Sequence, residues 1–239
     1  MHYSKISGLG HYLPEHRLTN HQLESLVETN DEWIRTRTGI EERRILRDKP
    51  TSFMCYEAAK EALAHANCDP MDVEAIVIAT VTPDYFFPST ACVVQQQLGA
   101  DKAFAFDVSA ACSGFLYAMS VGNGLIQSGR HKKVLVIGGD KMSSIINYED
   151  RNTCILFGDG AAAVLLEATE EETGLIDYVL RSEGDVNHNL IIPGGGSAKP
   201  ASHETIDNKD HYIYQEGRTV FKKATESMAD ISVEFDCCS

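Results

Sequence analysis

Continuous apolar, β-branched runs separated by stretches of helical spacing organise this chain. Glu74 to Thr80 (EAIVIAT), Lys133 to Gly138 (KVLVIG) and Ala162 to Leu166 (AAVLL) read as buried strands. Ala103 to Val108 (AFAFDV) reads as a fourth strand and Tyr3 to Gly8 as a fifth. Runs without alternation suit a sheet covered on both faces. Thr51 or Ser52 is placed to cap a helix running to Asn67, with Phe53, Tyr56, Ala59 and Leu63 on one face. Pro88-Ser89 opens a second helix carrying Val93, Val94, Gln97 and Leu98. Phe115 to Ile126 is a third, small and apolar on nearly all sides, which implies deep burial. Strands alternating with helices predict an α/β fold with a substantially parallel sheet.

The pattern changes at Asp185 to Asp210, rich in Gly, Asn, Ser, His and Pro, which predicts a long surface loop. Beyond it Val220, Phe221, Ala224 and Met228 return to helical spacing. That helix reads as about three turns before Val233 to Ser239 (VEFDCCS), a stretch without a cap, loop or strand signal. The ending reads as anomalous, as in a truncated or frame-shifted product.

The 239 residues suit one large α/β domain or two small ones. With 43% hydrophobic and 23% charged residues, the composition is that of a soluble globular protein. Lys and Arg number 21 against 35 Asp and Glu, a formal charge of −14, which disfavours nucleic acid or an anionic membrane as the main partner. A local basic patch for a phosphate-bearing ligand remains compatible with it. No apolar signal region opens the chain, and no run approaches the roughly 20 residues that span a bilayer. The seven cysteines are scattered, with no CxxC pair and no Cys/His spacing for zinc, so reduced thiols in the cytoplasm are expected.

One cysteine stands where chemistry is favoured. In Phe106-Asp107-Val108-Ser109-Ala110-Ala111-Cys112-Ser113-Gly114-Phe115 a strand ends, small residues turn, and a helix begins at about Cys112. Unpaired backbone N–H groups and the helix dipole stabilise a thiolate there. The same N–H groups can hold the oxyanion formed when that thiolate attacks a thioester. Locally, a small buried core cysteine is an equal reading. Cys55, Cys92 and Cys154 sit in apolar periodic segments and read as core; Cys68 reads as a helix end.

Several motifs, in order, carry a resemblance. Asp31 to Ile40 (DEWIRTRTGI) resembles an N-terminal signature of the β-ketoacyl-acyl carrier protein synthase III family. Phe87 to Cys92 (FPSTAC) looks like its dimer-interface loop, Asp107 to Phe115 its nucleophile motif, and Phe157 to Ala161 (FGDGA) the turn beyond. The similarity runs from residue 1 to about residue 230. It implies the thiolase fold, two similar βαβαβαββ halves in five layers, with a complete N-terminal half at residues 1–170 and the start of the C-terminal half at 171–239. It further implies a homodimer that moves an acetyl or other short acyl group from acyl-CoA onto Cys112. Condensation with malonyl-acyl carrier protein then releases CO2. No cofactor is implied beyond the CoA thioester substrate. By the same resemblance Trp33 and Arg151 sandwich the CoA adenine, Thr29 and Arg37 lie near the nucleotide, Leu156 and Phe157 line the acyl pocket, and Gly217 and Phe221 line the pantetheine tunnel. Phe87 reaches into the partner subunit's pocket.

The family's His-Gln-Ala-Asn and Gly-Asn-Thr motifs, which carry its catalytic histidine and asparagine, do not occur in this sequence. Gly194-Gly195-Gly196 sits in the predicted loop and does not replace the family's C-terminal glycine-rich segment. Three readings follow. The chain is a condensing enzyme that initiates fatty-acid synthesis; it is a related thiolase-fold acyl-CoA condensing enzyme; or it is a catalytically incomplete, CoA-binding or dimerising remnant.

Overall fold

A computed structural model describes the backbone of residues 3–184 and 186–238 and the side chains up to Phe235. Asp185 of the predicted loop and the side chains of Cys237 and Cys238 therefore lie outside the described residues. The chain opens with β1 (Tyr3–Tyr12), β2 (Arg17–Thr19), α1 (Asn20–Leu23), α2 (Asp31–Thr38), β3 (Glu42–Arg44) and α3 (Thr51–His65). It continues with β4 (Ala75–Ala79), α4 (Thr90–Leu98), β5 (Phe104–Val108), α5 (Gly114–Gln127), β6 (Lys133–Lys141), α6 (Arg151–Cys154) and β7 (Asp159–Thr169). It ends with β8 (Leu190–Ile191), α7 (His203–Asp207), β9 (Tyr214–Gln215) and α8 (Gly217–Cys238).

Two compact units emerge, residues 1–16, 44–141 and 159–178 in the first and 17–43, 142–158 and 179–239 in the second. They interleave along the sequence and so follow other boundaries than the 1–170 and 171–239 halves implied by the resemblance.

The first unit is a five-stranded sheet in the order β1-β7-β6-β4-β5. β4 runs parallel to β5 and β6, while β7 runs antiparallel to β6 and β1. The sheet is thus mixed rather than substantially parallel. A strand covered on both faces is continuously apolar whichever way its neighbours run, so the sequence carried no sign of β7's direction. Ile76 and Ile78 of β4 pack with Leu135, Ile137 and Leu165 under α3, while Val77, Val136, Val164 and Leu166 pack with Ala118 and Met119 of α5.

α3 buries Met54, Cys55, Ala58, Ala59, Ala62 and Leu63. The expected stripe was set off by part of a turn: Ala59 and Leu63 are buried, but Phe53 and Tyr56 flank the face. Neither Thr51 nor Ser52 caps this helix. Pro50 holds the cap position, Thr51 Oγ1 donates to the Thr82 carbonyl, and the Ser52 N–H finds Asp84 Oδ1 at 3.0 Å. α4 is capped by Ser89 and ends on Gly99 in the left-handed conformation (φ 68°). α5 is buried on one side only, since Leu116 is 60% exposed. The apolar run that suggested burial all round is a helix with one covered face.

Gly8 and Gly10 of β1 lie against α3 at backbone range. A Cβ at Gly8 would stand 2.2 Å from the Ala62 carbonyl oxygen, and one at Gly10 2.2 Å from that of Ala58.

The second unit gathers α1, α2 and α6 about Leu23, Ile34, Ile146, Cys154 and Ile155, with Ile213 packed against them just before β9, which pairs antiparallel with β8. The stretch expected as a long loop holds β8 and α7, the latter started by a reciprocal Ser202–Thr205 capping box. α8 runs on through the stretch that read as its stop, 22 residues in all, so the tail is helical up to Cys238. Arg181 pairs with Glu234 and Lys223 with Glu183, while Phe221, Met228 and Val233 are 70%, 61% and 64% exposed. No helix among the described residues is long and apolar enough to cross a membrane.

Replacing Gly8 with Ala should lower stability by about 3 kcal/mol or more, because a methyl group driven into a carbonyl forces backbone apart. Gly124→Ala, in α5 with nothing within 4 Å of its added Cβ, should instead raise stability by about 0.5–1 kcal/mol. Urea unfolding followed by circular dichroism reads both changes.

Candidate active site

Cys112 sits in a 3-10 turn, Ala111–Ser113, between β5 and α5, rather than in the first turn of the helix itself. β5 delivers the chain to this turn, paired in register with β4 so that Asp107 faces Ile78 and Val108 faces Ala79. Ala111, immediately before the cysteine, takes φ +45°. A left-handed alanine costs about 1–2 kcal/mol, and such strain is retained where the surrounding structure enforces it. Ser113 N–H closes the turn on the Ala110 carbonyl at 3.2 Å. A Cβ at Gly114 would lie 3.2 Å from that of Ala79, so the residue opening α5 is seated tightly on β4.

Cys112 is exposed; Cys55, Cys68 and Cys154 are buried and Cys92 is half-buried. Burial pushes the Cys55 thiol up, and the nearby carboxylates of Asp140, Asp84 and Asp107 add to the shift. Desolvation likewise raises Cys68 and Cys154. Of the histidines in this unit, His11 pairs with Glu61, His16 meets Arg47, His65 Nδ1 accepts the Leu9 N–H, and His131 tilts against Phe104. None of them partners Cys112 among the described residues.

Asp107 does work that the sequence reading missed. Its carboxylate accepts the N–H of Thr90 at 2.7 Å and of Ala91 at 2.8 Å, the first two residues of α4. Just before α4 comes an exposed aromatic trio, with Tyr85 62%, Phe86 88% and Phe87 86% exposed. The start of that segment is held by Asp140, whose Oδ1 accepts from Thr80 Oγ1, Val81 N–H, and both Thr82 N–H and Oγ1. A carboxylate inside an otherwise apolar run, as in Phe-Asp-Val, is the signal that would have revealed Asp107.

The second unit assembles a different feature. Asn30 caps α2 by accepting the Trp33 N–H at 2.8 Å, and Gly39 ends the helix with φ 71°. Arg37, one turn after Trp33, lays its guanidinium 4.4 Å from the indole centroid. Arg151, at the start of α6, places its own at 4.3 Å and donates to the Glu28 carbonyl at 2.9 Å. Thr29, next in the chain, has a buried Oγ1 without a hydrogen-bond partner among the described residues. Leu156 and Phe157 are half-buried beside Ile155 in the cluster that includes Trp33. Of the residues singled out from the sequence, Arg37 and Arg151 stack on Trp33, Leu156 and Phe157 pack against the same cluster as Trp33, and Thr29 follows Glu28, whose carbonyl Arg151 reaches. Gly217 and Phe221 lie instead in the exposed opening turns of α8, outside that cluster. Among the described residues no group of three or more His, Cys, Asp or Glu could hold a metal.

A family model for 3-oxoacyl-[acyl-carrier-protein] synthase III matches residues 106–184. Beta-ketoacyl-[acyl-carrier-protein] synthase III of Chlorobium chlorochromatii is 55% identical over 233 residues, covering 96% of this chain and 71% of the relative. The enzyme of the same name from Phocaeicola vulgatus is 52% identical over 95% of this chain and 69% of its own. Among solved structures, 3-oxoacyl-[acyl-carrier-protein] synthase III from Aquifex aeolicus superposes with a TM-score of 0.86 at 45% identity, covering 97% of this chain and 70% of that one. The fold is the thiolase-like fold of these enzymes, mixed α/β around a central sheet. At this identity and coverage the chain belongs to the β-ketoacyl-[acyl-carrier-protein] synthase III family.

Proposed function

We propose that this chain is an acyltransferase that initiates fatty-acid synthesis through a thioester on Cys112, and that the acyl donor is a short acyl-CoA, acetyl-CoA first among them. The observation that carries this reading is the placement of Cys112. It is the exposed cysteine, held at a strained strand-to-helix turn, while its described counterparts are buried or half-buried. Its sulfur attacks the thioester carbonyl, the tetrahedral oxyanion collapses, the C–S bond to CoA breaks, and CoA leaves as its thiolate. Splitting the transfer in this way suits a cysteine nucleophile. Loss of CO2 from malonyl-acyl carrier protein then supplies the carbon nucleophile that takes the acyl group from Cys112 and frees it.

The second unit supplies recognition. An indole and guanidinium groups offer flat faces to a flat base and charge to its phosphates. Trp33 and Arg151 are proposed to receive the adenine, with Arg37 and the unpartnered Thr29 hydroxyl beside the nucleotide. Arg151 lies 4.3 Å from the indole centroid, and the adenine is proposed to stack between these two flat groups. Leu156 and Phe157 line the acyl pocket, and Gly217 and Phe221 follow the pantetheine arm. The enzyme works in the cytoplasm as a homodimer, Phe87 entering the partner's pocket; its near-complete exposure beside Phe86 and Tyr85 supports this. Residues 1–170 form the N-terminal half of the thiolase-type repeat and 171–239 belong to the second.

Incubation with acetyl-CoA should add one acetyl group to the intact mass, and Cys112→Ala should abolish it; an unmodified wild-type chain would overturn the assignment. Trp33→Ala should raise the acetyl-CoA concentration for half-maximal acylation by about 5- to 150-fold, from the roughly 1–3 kcal/mol of base stacking. Acylation by a nucleotide-free N-acetylcysteamine thioester should be unchanged. Near neutral pH, iodoacetamide should modify Cys112 at least about ten times faster than Cys55, Cys68 or Cys154, whose raised pKa values leave them protonated. Peptide mapping over time checks the order.

A further inference from the structure

Arg43, in β3, is the one Lys or Arg among the described residues that is buried, at 3% exposure. Its Nε donates to the Ile155 carbonyl at 2.9 Å, Nη2 donates to the same oxygen, and Nη1 donates to Asn20 Oδ1. No carboxylate touches it among the described residues. Desolvation draws its pKa below the usual arginine value, with Cys154 and Tyr148 acting in the opposite sense. A buried cation without an opposite charge is costly, and nothing in the acyl transfer uses this one directly.

The ends of its hydrogen bonds explain why it is there. Ile155 follows α6, which carries Arg151, and precedes Leu156 and Phe157. Asn20, itself 1% exposed, passes the link onward through its Nδ2 to Asp31 Oδ1 and to the Ile40 carbonyl, both at 2.8 Å. Asp31 begins α2 and Ile40 lies just past its Gly39 cap. One buried guanidinium thus ties the turn bearing Arg151, Leu156 and Phe157 to both ends of the helix bearing Trp33 and Arg37. Lysine cannot copy this, because a planar fork is needed to reach two acceptors in fixed directions.

We propose that Arg43 is a positioning residue that sets the spacing between Trp33 and Arg151 and the seat of Leu156 and Phe157, and so preorganises the platform for a nucleotide-bearing thioester. The ligand in this statement rests on the CoA reading above; the positioning itself does not.

Trp33 is the single tryptophan, so its emission reports the platform directly. Acrylamide quenching would be measured on the full chain for wild type, Arg43→Met, Arg43→Lys and Asn20→Asp, with circular dichroism and thermal unfolding alongside. The Asn20→Asp change keeps an acceptor for Arg43 and removes the donor to Asp31 and Ile40. Expected are a quenching constant raised at least about twofold in Arg43→Met, partial rescue in Arg43→Lys, and an intermediate rise in Asn20→Asp. In Arg43→Met the Kd for CoA should rise at least about tenfold, while iodoacetamide still modifies Cys112 at the wild-type rate. A folded Arg43→Met protein with wild-type quenching and wild-type CoA affinity overturns the proposal. If Arg43→Met does not fold, unchanged Trp33 quenching in folded Asn20→Asp overturns it equally. A wild-type chain that ignores CoA overturns the CoA reading alone, since the ligand-free quenching still decides on Arg43.

Discussion

Where β1 passes under α3, two glycines let helix and strand touch backbone to backbone, and the first unit is built outward from that contact. Gly8 and Gly10 face the carbonyls of Ala62 and Ala58, so the small residues on both elements fix how closely the helical layer lies. Interiors packed at crystal-like density transmit such a constraint rather than absorb it. On the opposite face Gly122 of α5 lies close to the side chains of Val136 and Leu166, leaving no room for a methyl group without their shifting. With both layers fixed, the parallel strands β4, β5 and β6 end in register, Ala79 beside Val108 on one side and Gly138 on the other. The Cys112 turn, the aromatic segment and Asp140 all emerge from that edge. Open α/β sheets place their chemistry beyond the carboxyl ends of parallel strands.

The second unit meets a different demand. The whole chain carries a formal charge of −14, yet Arg37 and Arg151 crowd one indole. Cation–π attraction to the ring face and the Glu28 carbonyl hold them there against their mutual repulsion. A positive patch in an acidic protein favours polyanionic small ligands over polymers, which would meet repulsion from the rest of the surface.

Much of this was legible in the sequence, for identifiable reasons. Four of the sheet's strands stood out because their runs are largely apolar, while β1, interrupted by Ser4, Lys5 and Ser7, gave a weaker signal; Cys112 stood out because small residues follow a strand end. Strand direction was not legible, since burial on both faces erases the alternation that distinguishes the cases. The side of α5 facing outward was hidden by small apolar residues that tolerate exposure, and the length of α8 by a tail whose composition argued against it. Trp33 and Arg37 are one helical turn apart, so their contact could be anticipated. Arg151 is far away in sequence and came only through the family likeness. Arg43 escaped because a charged residue in a short Glu-Arg-Arg stretch reads as surface; its burial depends on Asn20 and Ile155, which nothing local reveals.

Asp107 bears on how such an enzyme can be altered. Its carboxylate closes the start of α4 while its backbone leads, five residues on, to the nucleophile. The aromatic segment and the Cys112 turn are consequently not separate modules. A segment 83–91 grafted from a distant relative keeps its anchorage as long as residue 107 remains a carboxylate, because the donors are backbone N–H groups. A change at 107 made to tune the cysteine loop, by contrast, disturbs the aromatics as well. Variation along this edge is therefore constrained at residue 107 more than within the aromatic segment: a library that varies 107 loses the carboxylate that closes α4, and one that varies 83–89 retains it.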